Sequence, residues 1–588
     1  MRGFDIDHGT DLSLEVDGMP VNMVSHAHGQ GYADLHFVIP ELISYVDFDK
    51  GPHFADKGDF TTAGYVDFQT KNVLEENFVK VEGGQFNTLR AVAGANLFPA
   101  STAGRTKGYV GAEYFLTDGF VDSPQDFRRF NVTTKVSTTL KNDDQLTAGA
   151  SYFTSSWDAS GQIPQRAVSN GMITRTGAID DTEGGRTSRT NVFLKHVHQF
   201  SNLAHITSQI YAIHYDFNLY SNFTFFLNDP VNGDQIQQRE HRMIYGYKSA
   251  YTVGGSIGSK ELVTELGGGF RIDDVDDVSL SHTLRRNSLS DIQKGDVNEA
   301  NINLYLNETL RISDRWSATA GVRFDHFTFK YKDALLGSVQ SADQSIVNPK
   351  LHLNYQPNNT SHYFVRVGTG FHSNDARVVT EQRGRQILPR AYGVDIGMNK
   401  KISDALFVHA AVWALDLDQE FVYVGDEGIV EPGGKTHRAG VDLSLRYEIL
   451  PWLFLDTDLN ITRPKAKEEP IDNDYIPLAP TLSSIGGLSF NLKNGLNGTL
   501  RYRYIADRAA NEDKSVVAKG YFITDAVINY SRDRYEFGFS IENLFNAEWN
   551  EAQFDTESRL FHEAQSVSEI HFTPGTPFFL KLKACFYF

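Results

Sequence analysis

The chain has 588 residues, 40 % of them hydrophobic, a mean hydropathy of −0.35 and a formal net charge of −19. It contains no run of apolar residues long enough for a membrane-crossing helix, which excludes a helical membrane protein. The acidic balance argues against a nucleic-acid partner, and the single cysteine, Cys585, excludes an internal disulfide framework or a cysteine-rich metal site.

The first residues, MRGFDIDHGTDLSLEVDG, carry Asp5, Asp7, His8, Asp11 and Glu15 and no signal-peptide pattern. Residues 1–72 differ from the rest. They run through LSLEVDGMPVN (12–22), HAHGQGYADLHF (26–37) and IPELISYVDFDKGPHFADKGDFTTAGYVDFQT (39–70). From residue 73 to the end one pattern repeats: alternating stretches divided by a short polar turn, then by a long polar connection. Phe130, Val132, Thr134 and Val136 oppose Asn131, Thr133, Lys135 and Ser137. Leu496, Leu500, Tyr502 and Tyr504 oppose Asn497, Arg501 and Arg503, and Tyr535, Phe537 and Phe539 oppose Glu536 and Ser540. One parity is apolar and the other carries charges that a packed soluble core would not tolerate unpaired.

The short turns, such as 140–145, 200–205, 312–316, 356–361, 402–405 and 492–495, have the Asn, Asp, Ser, Pro and Gly chemistry of tight hairpins. The long connections are 157–186, 219–239, 276–294, 372–388, 418–433 and 548–575. Strict alternation of short and long connections fits a barrel with short periplasmic turns and long external loops. Counting from Asn77 gives 22 strands, an even number that leaves both barrel ends on the periplasmic side. The last residues, PFFLKLKACFYF, place Phe578, Leu580, Leu582, Ala584, Phe586 and Phe588 on one face, and two lysines on the other. The even positions are expected to face lipid. The fold expected is an all-β transmembrane, 22-stranded antiparallel outer-membrane barrel with a partial N-terminal plug in its lumen.

The order Arg2-Gly3, Asp17-Gly18-Met19-Pro20, Pro40 through Lys50-Gly51-Pro52 and Gly64-Tyr65-Val66-Asp67-Phe68 resembles the second half of the plug of TonB-dependent outer-membrane receptors. GTGFHSNDAR (368–377), PRAYGVDIGMNKKI (389–402), HRAGVDLSLRY (437–447), IENLFNAEWNEAQF (541–554) and the terminal strand resemble segments of that family's barrel. Lys50 and Asp67 stand where Arg and Asn are commoner in the family. The resemblance implies two domains, residues 1–72 as the C-terminal part of a plug and 73–588 as the barrel. It implies energised uptake of a scarce nutrient, an iron–siderophore or another metal chelate first, with cobalamin, haem or a saccharide as alternatives. The implied partners are the TonB–ExbB–ExbD complex, outer-membrane lipid, the barrel-assembly machinery and a small-molecule chelate. Family members carry a signal peptide, a TonB-contacting box and the first half of the plug ahead of this point, so the chain reads as N-terminally truncated. Half a plug leaves a passive channel open as a further alternative.

No nucleophile–base pair, P-loop, H-E-x-x-H or CxxC is present, so no enzyme and no cofactor is expected. Candidate substrate contacts are His26, His28 and Gln30 in a Gly-flanked stretch, together with His372 and Arg377. A strand through His26-Ala27-His28 would put both rings on one face, as metal or chelate contacts can be; a polar plug loop bonded to the wall is the plainer reading. No metal set is assigned. By the resemblance, Arg2 and Lys50 pair with wall carboxylates as a plug latch, with Glu308 and Glu542 as the wall partners. The run Asp273, Asp274, Asp276, Asp277 is a calcium candidate or, more simply, a solvated loop.

Overall fold

The computed structural model describes residues 1–4, 9–98, 105–381, 387–424, 429–432 and 434–588. A small sheet comes first. Its strands lie in the order Met19–Pro20, Leu12–Val16, Gly64–Thr70, Ile43–Lys50. Asp17 and Gly18 both have positive φ, 49° and 75°, and join Val16 to Met19 as the Asp-Gly type I′ turn that a two-residue hairpin needs. Gly64–Thr70 runs parallel to Leu12–Val16 and antiparallel to Ile43–Lys50.

The rest closes into one barrel of 22 strands, from Phe78–Gly84 to Phe579–Tyr587. The last strand pairs with the first, from Lys581 opposite Gly84 to Tyr587 opposite Phe78, so no edge is left open in a medium that offers no hydrogen bonds. Leu582 and Phe586 are 61 % and 50 % exposed while Cys585 is 3 % exposed, which puts the even face of the final strand outward. Lys583 instead reaches Glu536 at 3.0 Å on the inner side. Cys585 packs inward with Ile39, Leu42, Val92 and Tyr109.

The sorting of connections is less strict than the sequence suggests. Strand Lys260–Leu284 turns at Arg285 and Arg286 (φ 49° and 64°) straight into Asn287–Arg311. Residues 276–294 are therefore a β-ribbon, not a loop. Its buried face carries the polar Ser279, Ser281 and Thr283, so no apolar alternation marks it. The connections 85–87 and 334–337 are likewise short, although they lie on the long-loop side. Within 548–575, strands Asn550–Ser558 and Val567–Pro574 pair with each other, and Val567–Pro574 also pairs with Ile163–Pro164. They hold a small external core of Ile163, Phe554, Ile570 and Phe572.

The N-terminal sheet fills the lumen. Wall side chains bond it from many directions: Arg90 to Glu41, Lys135 to Asp17, Arg189 to the Pro20 carbonyl, Arg271 to the Asn22 carbonyl, Lys350 to the Pro52 carbonyl and Arg366 to Asp49. Met19, Met23 and Ala27 pack with wall residues Tyr211, Tyr215, Phe217, Phe327, Phe329, Tyr331 and Phe371.

Candidate functional site: the plug, wall and loop junction

One corner of the lumenal sheet is pinned by two aspartates. Gly51, at φ 79°, lets the chain turn where a side chain would meet the His53 ring at 2.5 Å and the Arg2 guanidinium at 2.8 Å. Arg2, Lys50 and His53 are thereby gathered. Arg2 forms a two-pronged pair with Asp395, with Nη1 3.0 Å from Oδ1. Its Nε lies 3.5 Å from Asp442, and its guanidinium sits over the Trp413 ring at 4.8 Å. Lys50 Nζ reaches Asp442 at 3.0 Å and His53 Nε2 reaches Asp395 at 3.1 Å. Burial pushes the His53 pKa down, against the raising effect of Asp395.

Glu308 and Glu542, expected as the wall partners, are not. Glu308 accepts from Thr264 Oγ1 at 2.9 Å, and Glu542 pairs with Lys581. Both lie on strands that do not face the basic corner, because barrel register rather than charge sets which wall positions meet it. A signal for the true partners was present in the sequence. Asp395 and Asp442 both stand in the tripeptide Gly-Val-Asp, a carboxylate two residues from a glycine on the same parity.

The second cluster joins the lumenal segment 22–30, the wall and the external loop after strand Ser361–Phe371. That loop folds inward as the short helix Ala376–Glu381. Ser25 Oγ donates to Glu299 at 2.9 Å and accepts from the Ala376 N–H at 2.9 Å. Gln30 Nε2 donates to the Ser373 carbonyl at 2.9 Å, and Arg377 Nη2 donates to the His26 carbonyl at 2.7 Å. The Ala27 N–H donates to Glu240 at 2.7 Å, and Arg242 Nη1 donates to the Val24 carbonyl at 2.6 Å. Asp59 accepts from the N–H and Oγ of Ser373, both at 2.6 Å. Burial raises the Asp59 pKa to about 6, and Ser373, His372 and Arg271 only partly offset it. His372 lies 3.5 Å from Asp11. Burial would raise the Asp11 carboxyl, but His372, Thr62 and Arg438 hold it below its ordinary value.

His26, His28, Gln30, His372 and Arg377 therefore share one junction. His26-Ala27-His28 lies in a bend and not on a strand, so the two rings take different surroundings. His26 is fully buried, stacked on Tyr32 at 4.4 Å and edge-on to Phe217 at 4.6 Å. His28 is half-buried, with Nδ1 2.7 Å from Gln238 Oε1. Gln30 and His372 are buried too. His8 lies outside the described residues. Among the described residues no cluster of three metal-ligating side chains is present. The Asp273–Asp277 run lies on a strand that sends Asp273 inward to Arg242 and Arg271, while Asp277 pairs with Arg239. Alternating faces rule it out as one calcium cage. Asp59, Glu240, Arg242 and Glu299 were missed because their partners lie far away in sequence.

A family model described as TonB dependent receptor-like, beta-barrel, matches residues 127–544. No curated protein matches the chain in sequence. Among solved structures, the ferric citrate transporter FecA in its unliganded form superposes with TM-score 0.84 at 14 % identity, over 100 % of this chain and 90 % of that one. The ferric-catecholate import receptor Fiu from E. coli K12, in its closed form, gives 0.77 at 16 %, over 100 % and 90 %. The copper transporter OprC gives 0.77 at 14 %, over 100 % and 91 %. At such identities these likenesses concern the fold. The family match covers most of the chain, and its members are transporters, not enzymes. With a closed 22-stranded wall around a filled lumen, the chain belongs to the TonB-dependent receptors of the outer membrane.

Proposed function

We propose that the protein imports an iron–siderophore or other metal chelate, with residues 1–72 acting as the plug and 73–588 as the wall. The observation that carries this reading is the double grip on Val24–Gln30. The wall holds that segment through Glu240, Arg242 and Glu299, and the external loop holds it through Ser373, Ala376 and Arg377. A ligand that displaces or tightens the loop acts on the plug through the same bonds. Imidazole and guanidinium groups at one junction suit an anionic, metal-bearing ligand, since charge-assisted bonds are the strong ones. Structural relatives described as ferric citrate, ferric-catecholate and copper transporters agree with that chemistry. TonB, energised through ExbB and ExbD, supplies the pull on the plug, and the latch of Arg2 and Lys50 on Asp395 and Asp442 is what it has to break.

The test is binding of ferric citrate and ferric catecholates to the purified protein, followed by fluorescence quenching. A His26→Ala/His28→Ala variant is expected to lose affinity while still assembling as a heat-modifiable barrel. Unchanged affinity removes the junction from the binding site. One observation favours a passive channel instead: Tyr45 and Phe48 on a plug strand are 60 % and 59 % exposed. Steady conductance of the ligand-free protein in a planar bilayer would support the channel, and a closed baseline would support the gated receptor.

A further inference from the structure

Beneath the external junction lies a cavity of about 320 Å³ between the lumenal sheet and the wall. It reaches from Asp59, which accepts from Ser373 of the external loop, to Thr207, near the short-turn end of strand Ala204–Ser221. Its two sides carry opposite charge. Among the described residues, the charged wall side chains that line it are all basic: Lys195, Lys248, Arg271 and Arg323. The lumenal side contributes Glu15, Asp56, Asp59 and Asp67, with Lys57 beside Asp56 as the exception.

Two of the wall cations are neutralised by the wall itself, Arg271 by Asp273 and Arg323 by Asp325. The two lysines are not. Lys195 lies opposite Gln209, and Gln209 opposite Lys248, on neighbouring strands. The three side chains share one rung of the inner wall, with the lysines about 10 Å apart at the backbone. Lys248 is held by Glu15 of the lumenal sheet at 3.0 Å. Lys195 forms no ion pair or hydrogen bond among the described residues. Gln209 Nε2 donates to the Asp17 carbonyl at 2.8 Å, and a side chain at Gly18 would meet Lys248 Nζ at 3.0 Å. The turn Asp17-Gly18 therefore lies directly on the rung.

The facing sheet is acidic. Glu15 pairs in register with Asp67, and Asp67 with Asp47, so three carboxylates sit side by side on adjacent strands. Like charges directly opposite one another destabilise a sheet. Burial and then Glu15 push the Asp67 pKa up to about 6, and Lys57 and Lys248 only partly offset them.

We propose, resting on the import of an anionic chelate, that Lys195 and Lys248 with Gln209 between them form an inner binding site for a polycarboxylate or other anionic chelate in transit, which Glu15 and Asp67 fill at rest as a tethered substitute. Each ammonium group offers three donors on a long flexible stem, so a ligand with carboxylates at both ends bridges the two. Such charge-assisted bonds are the strong ones, and the Gln209 amide is a further donor once it leaves Asp17. A shift of the lumenal sheet that carries Glu15 and Asp17 away uncovers all three groups together. The external junction captures the ligand, and the inner site receives it only after the sheet has moved.

The experiment is protection from alkylation in the full chain. Thr207→Cys places a thiol in the cavity, and a neutral maleimide reports its access. Cys585 is 3 % exposed, and the chain without Thr207→Cys gives the background. The probe is citrate at constant ionic strength. With the native lumenal sheet, citrate is expected to slow labelling only weakly, through Lys195. Glu15→Gln/Asp67→Asn is expected to lower the half-protecting concentration about tenfold, the scale of one charge-assisted hydrogen bond. Adding Lys195→Gln/Lys248→Gln is expected to abolish protection. Lys195→Gln alone breaks no bond of the resting chain, so its expected loss of the weak protection is read without disturbing the sheet. An unchanged concentration in the Glu15→Gln/Asp67→Asn chain overturns the proposal. So does protection that survives the lysine changes or is absent throughout. Citrate protection needs no transport, so a chain that shows this pattern yet accumulates no ferric chelate keeps the inner site and loses only the import reading.

Discussion

Asp59 is the residue at which pH should be felt. Its carboxyl is buried against Ser373, and burial raises its pKa from 3.8 to about 6. A group with a raised folded pKa favours the packed state when protonated. The contact between plug and loop is thus strongest below about pH 4 and loses up to about 3 kcal/mol as pH rises to about 6, after which it changes little. Nitroxides at Val378 and His36 should show a tighter distance distribution at pH 4 than at pH 7, and Asp59→Asn should flatten the difference. Identical distributions at both pH values in the wild type would count against this. Arg2 gives a larger effect. It is 2 % exposed between Asp395 and Asp442, so Arg2→Ala leaves buried carboxylates short of a counter-charge and should cost about 3–5 kcal/mol. Trp413, under the guanidinium, contributes to the emission that would follow the loss in a urea titration. A midpoint unchanged from wild type would show that Lys50 and His53 hold the corner alone. The sequence marked Arg2 and Lys50 as latch cations but not their partners. A cation's need for a counter-charge is local knowledge, whereas the choice between Glu308, Glu542, Asp395 and Asp442 depends on how the whole wall is staggered.

At the scale of elements, the closing strand Phe579–Tyr587 makes the sharpest statement. Leu582 faces out and Lys583 faces in towards Glu536. Leu582→Arg should cost about 2–4 kcal/mol near the midplane, whereas Lys583→Ala loses one lumenal ion pair worth about 1 kcal/mol or less. Equal losses at the two sites in unfolding from lipid vesicles would contradict the assigned faces. Removing Phe588 should lower the yield of assembled barrel in membranes while leaving ligand affinity intact, and a normal yield would argue against an assembly role for the terminal aromatic. Strands were legible wherever one face met lipid, because the lipid face alternates with a polar lumen. The ribbon from Lys260–Leu284 into Asn287–Arg311 buries polar residues such as Ser279, Ser281 and Thr283 on one face, so its sequence read as a loop. At His26-Ala27-His28 a polar loop was the plainer reading of the sequence, but the wall partners Phe217 and Gln238 were not legible, because they lie far away in sequence.

At the scale of the molecule, the lumenal sheet is bonded to the wall at two stations. One is the Asp395–Asp442 corner, and the other is the junction beneath the inward-folded loop 372–381. The Gly64–Thr70 strand and the connected segments between the stations make one piece, so a disturbance at the external junction can reach the latch without the wall moving. In the proposed mechanism the wall, closed on itself, stays fixed, and the lumenal sheet is the part that shifts. The central claim is that ligand capture outside is coupled to energised movement of this plug. The direct measurement is accumulation of radiolabelled ferric chelate by cells producing the protein, with and without a functional TonB. The account predicts that surface binding persists in both strains while accumulation disappears without TonB. Accumulation at the same rate in both strains would contradict it.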